Sequence, residues 1–524
     1  MNSPFLSMGQ ETYHVSLKNV FGQNRRKLCK ALQQKPVSEG NLVVYLHGGP
    51  SETRFDSDHE PLFRQESYFW YLTGVKEPDC AIAIDVATQH ATLFIPNLPA
   101  SYATIMGRIK TREEWKEHYQ VGEVLFTDDV EDTLAGMLEK RSNGTKSKLL
   151  LMKGLNSDSG KVYEPPVTIV NHEKLSSHVD VELLFPILAE CRVFKTAAEQ
   201  GVLQFVTEVT SFAHAYVMRN MKPGMMEYQG ESLFRHYCYY NYGCRLVGYT
   251  PICGCGPDAA VLHYGHAGEP NARQSNVGDN CLFDMGAEYF GYGSDVTCSF
   301  PIDGVFNDRQ RPIYQAVLNA QIAVYRMIKP GVSYVACHKA AEAAILKVLV
   351  EVGIVNLAGK TIDDLVEMRL GAVFMPHGLG HFIGIDTHDV GGYLAGHPER
   401  SELPGLKSLR TARILLENMT LTVEPGCYFI DHLLNEALAE GSFLKVHMNE
   451  AKVNHYRGFG GVRLEDVIVV TADGIINYTL CPRTIEEVES VMAGGKWPPT
   501  EDIAPELFRA RLTEPNPLPS PPSL

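Results

Sequence analysis

Two carboxylates stand eleven residues apart, in Leu282-Phe-Asp284-Met-Gly and Gly293-Ser-Asp295-Val-Thr, with Gly291 and Gly293 between them. Those glycines mark a turn joining two strands. With the hairpin centred on Tyr289–Phe290, Asp284 and Asp295 face each other with Cβ atoms roughly 5 Å apart. Like charges so placed repel unless a cation lies between them. Three histidines follow within twelve residues, in His377-Gly-Leu-Gly-His381 and Gly384-Ile-Asp-Thr-His388, and the glycines among them let several imidazoles approach one pocket. Leu421-Thr-Val-Glu424-Pro-Gly sets a carboxylate at the end of an apolar strand, before a breaker. Val462-Arg463-Leu-Glu465-Asp-Val-Ile-Val-Val puts Arg463 and Glu465 on one face of a buried strand. Taken singly, each has an ordinary reading as a turn aspartate or a core histidine. Buried acids without partners are rare, however. Together these oxygen donors and one imidazole suit two divalent ions of the Mn2+, Co2+ or Mg2+ kind.

The elements that must position them follow from hydrophobic spacing. Val202, Phe205, Val206, Val209, Phe212, Ala213 and Val217 recur at helical intervals and stop at Lys222-Pro223-Gly224. A second helix, about 226–241, and strand-like segments come next. The order then repeats: a helix over 315–328 ends at Lys329-Pro330-Gly331, another covers 340–352, and strands return. Val217-Met-Arg-Asn-Met-Lys-Pro-Gly aligns with Tyr325-Arg-Met-Ile-Lys-Pro-Gly, 107 residues later. Two such halves predict a pseudo-twofold α+β domain with its site at the seam. Before it, buried strands at 42–46, 81–85 and 149–152 alternate with helices, which predicts an N-terminal α/β domain without chemistry of its own. The domain expectations are 1–188, 189–495 and a disordered tail over 496–524, where eight prolines fall after Lys496.

Bulk composition narrows the function classes. The 524 residues carry a net charge of -15, which argues against nucleic acid as a partner because phosphate binding needs clustered Lys and Arg. No run of 18 apolar residues reads as a membrane span, and the N-terminus lacks a signal-peptide pattern. Twelve cysteines, mostly single and in apolar stretches, read as reduced thiols of a cytoplasmic protein rather than a disulfide scaffold. The sequons at Asn143, Asn418 and Asn477 are then unused.

The order Asp…Asp…His…Glu…Glu, in the contexts HGLGH, TVEPG and VRLED, resembles the pita-bread metallopeptidases of the creatinase/aminopeptidase group. Leu62-Phe-Arg-Gln-Glu-Ser-Tyr-Phe, Cys191-Arg-Val-Phe-Lys-Thr, Ser408-Leu-Arg410-Thr-Ala-Arg and Arg457-Gly-Phe-Gly-Gly-Val-Arg463 are similar to the animal-type prolidase branch, and the likeness covers nearly the whole chain. The resemblance implies an Xaa-Pro dipeptidase with two Mn2+ ions held by Asp284, Asp295, His381, Glu424 and Glu465, of which Asp295 and Glu465 bridge. It implies attack on the scissile carbonyl by a hydroxide bridging the ions, with Glu424 as proton shuttle and His388 stabilising the oxyanion. It also implies that His263, His377, His388 and Arg410 bind the substrate, Arg410 as a planar fork for the terminal carboxylate. Tyr249 falls beside the metal-bound water, and Arg463 behind Glu465 and nearby carboxylates as their support. A cytoplasmic homodimer with a part in collagen degradation is expected on the same ground. Two alternatives stay open: an aminopeptidase P acting on longer Xaa-Pro peptides, or an inactive pita-bread protein that only binds.

Overall fold

The computed structural model describes residues 4–35, 41–139, 147–264, 270–499 and 501–513. The chain divides into two compact units, Met1–Ser7 with His14–Glu199, and Met8–Tyr13 with Gln200–Leu524. The division falls at Glu199, inside a helix. Among the described residues no helix is long and apolar enough to cross a membrane.

The first unit is a mixed six-stranded sheet. Its strands are β1 (Leu42–His47), β2 (Ala81–Asp85), β3 (His90–Ile95), β4 (Glu123–Phe126), β5 (Lys148–Leu151) and β6 (Val179–Asp180), in the order β6-β5-β1-β2-β3-β4. The predicted strands at 42–46, 81–85 and 149–152 are β1, β2 and β5. The apolar runs of β1 and β5 are buried on both faces, which suits their central, parallel pairing. Val130, Leu134 and Leu138, at helical spacing, pack against Val43, Tyr45, Leu149 and Leu151 to form one core layer.

The second unit opens with α1 (Ala197–Asn220), in which the division falls, and α2 (Glu227–Tyr242). The seven apolar residues predicted to line α1 are all buried. Strands β7 (Ile252–Cys255), β8 (Asn280–Asp284), β9 (Ala287–Tyr289), β10 (Tyr292–Gly293) and β11 (Thr297–Pro301) complete the first half. The second half has α3 (Gln310–Met327), α4 (Tyr334–Glu351), β12 (Thr420–Val423), β13 (Gly426–Tyr428), β14 (Gly461–Arg463), β15 (Asp466–Val470) and β16 (Ile475–Asn477), followed by α5 (Ile485–Met492).

The repeat is real at the level of hydrogen bonds. After the first Lys-Pro-Gly, Gly224 N donates to Ser275 O at 2.9 Å and Met226 pairs with Gln274. After the second, Gly331 N donates to Leu415 O at 2.9 Å and Ser333 pairs with Ile414. Asp284 lies nine residues beyond Ser275, and Glu424 nine beyond Leu415, so the two acids hold corresponding places at the ends of β8 and β12.

Residues 497–499 and 501–513 correct the expectation of a free tail. Trp497, Leu507 and Leu512 are buried, Trp497 Nε1 donates to Leu480 O at 2.7 Å, and Arg509 pairs with Glu487 at 2.7 Å. Ala510 N also donates to Asn477 O at 2.9 Å, at the edge of the second-half sheet. A proline-rich segment cannot build a core of its own, but isolated large apolar side chains can complete one that already exists. Each contributes about 1.5–3 kcal/mol when fully buried. Removing residues 496–524 therefore lowers the melting temperature by roughly 5 °C or more. An unchanged thermal unfolding curve for the truncated chain would contradict this docking. The last stretch of the predicted tail, 514–524, lies outside the described residues.

Candidate metal centre and active site

Each half carries an antiparallel ladder that breaks at its acidic residues. In the first half Asp284 pairs with Thr297, and beyond the break Glu288 pairs with Gly293. In the second half Val423 pairs with Asp466, and beyond the break Gly426 pairs with Arg463. The register runs on unchanged through both breaks, which sets Glu424 opposite Glu465. Pro425, with no N–H to donate, interrupts the second ladder. At Gly286 a Cβ would lie 1.8 Å from Ser294 O, so only glycine lets the first ladder pinch there.

The hairpin turn is Phe290–Gly291, both at positive φ, so Tyr289 pairs with Tyr292. This is one position later than expected at the centre and shifts the register by two residues. Asp284 and Asp295 are therefore diagonal neighbours rather than directly opposed. A shift of two preserves the face, because side chains alternate with period two. Their carboxylates still converge.

His381 arrives on a segment laid along β12. Phe382 pairs with Leu421, Thr422 N donates to His381 O at 2.9 Å, and Glu424 N donates to Leu379 O at 2.8 Å. A Cβ at Gly380 would meet Thr422 O at 2.2 Å, so the His-Gly-Leu-Gly-His spacing is a requirement of close backbone approach. His381 Nε2 then lies 3.3 Å from Asp295, 3.4 Å from Glu424 and 3.9 Å from Glu465. Three overlapping sets result, each with ligand atoms within 4.8 Å of one another: Asp284, Asp295 and Glu465; His381, Glu424 and Glu465; and Asp295, His381 and His388. All five residues assigned to the metals by resemblance are thus brought together.

Two observations show that this set fits cations. The Nδ1 of His381 lies 2.9 Å from Phe382 O, which takes its proton, so that Nε2, the nitrogen turned toward three carboxylates, is the one a cation would meet. Asp295 Oδ1 is buried and has no hydrogen-bond partner in the protein. Burial and the neighbouring charge of Asp295 push the Asp284 carboxyl up to about 6. Burial pushes Glu424 up to about 7, and burial with the Asp295 and Glu424 charges raises Glu465 well above its ordinary value. Burial acts on Asp295 too, but the His381 hydrogen bond and charge hold it below the usual carboxylate range.

A pH dependence follows. In the metal-free protein the raised carboxyls contribute stability that is fully present below an unfolded pKa of about 4 and is lost as pH rises through about 6 to 7. A divalent cation needs these groups ionised and binds better as pH rises. The increase in melting temperature on adding such a cation to chelator-treated protein therefore grows between about pH 5.5 and about pH 7.5. An equal increase at both pH values would separate the binding from these carboxyls.

The supporting side chains are where sequence reading is incomplete. Arg463 is fully engaged: Nη2 donates to Asp284 Oδ2 at 2.6 Å, Nε to Thr297 Oγ1 at 2.9 Å and Nη1 to Tyr428 OH at 2.8 Å. The resemblance sets it behind Glu465 and the nearby carboxylates. It holds Asp284 directly and reaches Glu465 through Thr297, whose hydroxyl donates to Glu465 Oε2 at 2.7 Å. Sequence reading misses both Thr297 and Tyr428. Thr297 was legible in principle, since it lies two residues from Asp295 and so shares its face. Tyr249, half-buried, donates its hydroxyl to Asp284 Oδ1 as a neighbour of that acid.

His377 has both nitrogens engaged. Nδ1 lies 2.7 Å from Gly378 O and Nε2 3.0 Å from Tyr428 OH, while burial and then the charge of Arg463 lower its imidazole to about 3. His388 stacks edge-on against His381 at 4.5 Å and opens to solvent on one side. The surrounding protein, then the His381 and Arg410 charges, hold it neutral at about 2. His263 is exposed, close enough to both imidazoles for its charge to lower them further, and Arg410 is half-buried beside His388.

Behind the carboxylates a buried ion pair joins the halves. Arg483 Nη1 donates to Thr297 O at 2.9 Å, Nη2 donates to Glu465 O at 2.6 Å, and Nε bonds Asp466 Oδ1 at 2.9 Å. Glu465 and Asp466 therefore face opposite ways, one into the site and one into this clamp.

The arrangement is that of a metallopeptidase, and the chain belongs to Metallopeptidase family M24, which it matches over residues 203–472. Residues 21–145 match the N-terminal domain of aminopeptidase P, and the fold is the pita-bread fold with that domain ahead of it. The chain is similar to the Xaa-Pro dipeptidase of Homo sapiens, 48% identical over 94% of this chain and 96% of the relative. It is 47% identical to that of Rattus norvegicus, over 94% of this chain and 96% of the relative. A probable Xaa-Pro aminopeptidase of Talaromyces stipitatus is 33% identical over 90% of this chain and 96% of its own. Among solved structures, zinc-substituted Escherichia coli aminopeptidase P in complex with product superposes with a TM-score of 0.70 at 27% identity, covering 92% of this chain and 99% of that one.

Proposed function

We propose that this metallopeptidase hydrolyses Xaa-Pro dipeptides, with Asp284, Asp295, His381, Glu424 and Glu465 holding two divalent ions, Mn2+ in the first instance. The observation that carries the reading is the placement of Arg410 and two neutral histidines, His377 and His388, beside a set of four carboxylates and one imidazole. The 48% identity to an Xaa-Pro dipeptidase, against 33% to an aminopeptidase, favours the dipeptide over longer substrates. Two ions in this set would polarise a peptide carbonyl and acidify water.

The protein's own groups supply the rest. Glu424, which lies 3.4 Å from His381 Nε2, takes a proton from water and passes it to the departing proline nitrogen. His388, neutral and at the open edge, donates a hydrogen bond to the carbonyl oxygen as negative charge develops there. Arg410, with His263, receives the terminal carboxylate. His377, both nitrogens committed, braces Tyr428 and through it Arg463 and Asp284. It serves the substrate pocket as a wall and not as a donor. Tyr249 keeps Asp284 oriented toward the ions.

By resemblance alone the reading extends to a cytoplasmic homodimer acting on collagen-derived dipeptides. The test is release of free proline from Gly-Pro by the purified chain with Mn2+, lost on chelation and restored by the ion. A chain that binds the ion but leaves Gly-Pro intact would overturn the activity while leaving the metal site standing.

A further inference from the structure

Arg410 and His388 stand on two segments, 388–393 and 409–413, that are bound to each other along their length. Thr411 Oγ1 donates to Gly392 O at 3.3 Å, and Arg413 Nη1 donates to Gly391 O at 3.1 Å. The backbones touch, since a Cβ on Gly392 would lie 2.1 Å from Arg410 O.

One peptide group in this pair is gripped twice. The carbonyl of Leu409, immediately before Arg410, accepts from Tyr393 OH at 2.6 Å and from Arg400 Nη1 at 2.8 Å. The Arg400 guanidinium also lies 4.2 Å from the centroid of the Tyr393 ring, which fixes the two donors relative to each other. A carbonyl held by two mutually stacked donors cannot turn without breaking both bonds. The direction in which the chain enters Arg410 is therefore set by Tyr393 and Arg400, and Tyr393 belongs to the segment that carries His388. Neither residue is among those that the sequence motifs single out for chemistry.

We propose that Tyr393 and Arg400 form a latch that presets the position of Arg410 relative to His388, and that this spacing determines the length of peptide accepted. Both are positioning residues for substrate selection. The inference rests on the reading of Arg410 as the carboxylate clamp. A terminal carboxylate two residues long must meet the guanidinium while its scissile carbonyl meets His388, so a looser Arg410 loses the short substrate first. A longer peptide offers no carboxylate at that depth and does not depend on the latch.

The experiment compares Gly-Pro with Gly-Pro-Ala for wild type, Tyr393→Phe and Arg400→Lys, with metal content and melting temperature measured in parallel. Tyr393→Phe deletes only the hydroxyl, and Arg400→Lys keeps the charge while losing the fork and most of the stacking. Each variant raises KM for Gly-Pro by roughly three- to tenfold, the factor that one hydrogen bond carries. In each, kcat and the slower Gly-Pro-Ala hydrolysis stay close to wild type, and both ions stay bound. A fall in both substrates by the same factor makes the pair merely structural and overturns the latch. So does an undiminished preference for Gly-Pro in both variants. If the wild type itself shows no preference for the dipeptide, the clamp reading fails first and the latch falls with it.

Discussion

Asp295→Asn loses Gly-Pro hydrolysis by roughly a thousandfold or more, because its carboxylate serves two of the three donor sets and two-metal chemistry needs both ions held. The same variant gains less melting temperature from added Mn2+ than wild type does. The two effects share a cause. Asp295 Oδ2 lies 3.3 Å from His381 Nε2, and Oδ1 has no hydrogen-bond partner in the protein. An amide in place of the carboxylate is neutral and presents one oxygen instead of two, so it holds two cations poorly. Thermal unfolding with and without Mn2+, and proline release from Gly-Pro, check both halves. Near wild-type turnover by the Asp295→Asn variant would end the two-metal assignment. An equal gain from Mn2+ in the two proteins would show that Asp295 does not hold the ions.

Arg410→Ala narrows the discrimination between Gly-Pro and Gly-Pro-Ala while leaving metal content intact. Wild type favours the dipeptide because only it presents a carboxylate to the guanidinium. The tripeptide offers a neutral amide at that position. Losing a charge-assisted hydrogen bond in a partly desolvated pocket costs roughly 1.5–3 kcal/mol, or about ten- to more than a hundredfold in kcat/KM. The variant therefore loses about that factor on Gly-Pro and little on Gly-Pro-Ala. Four values of kcat/KM decide the matter. Equal wild-type rates on the two peptides would refute dipeptide selection, and an equal loss on both in the variant would make Arg410 a structural residue.

Much of this protein is written locally. The five donors and Arg463 are recognisable because acids in apolar strands, followed by Pro425 or beside Gly286, have no cheap alternative to a cation. The two Lys-Pro-Gly stops announce the halves because a helix cannot pass proline and glycine together, and the first helix buries the face its spacing predicts. The period-two rule likewise places Asp284 and Asp295 on one face, even though the turn lies one residue later than expected.

What the tertiary structure alone decided is which groups meet across long sequence separations. Arg463 grips Asp284 across 179 residues, and Thr297 meets Glu465 across 168, over the seam. No local pattern around any of the four announces those contacts, which arise from packing one half against the other. Arg483 lies outside every motif of the sequence and is buried as the clamp between halves because Asp466 neutralises it. His377 Nε2 lies 3.0 Å from the hydroxyl of Tyr428, which reaches it from β13, a contact that no spacing announces. Residues 497–513 read as unfoldable because composition reports whether a segment can make its own core. Whether Trp497, Leu507 and Leu512 find a place in another core depends on a surface assembled from residues far away in the chain, and local spacing carries no record of it.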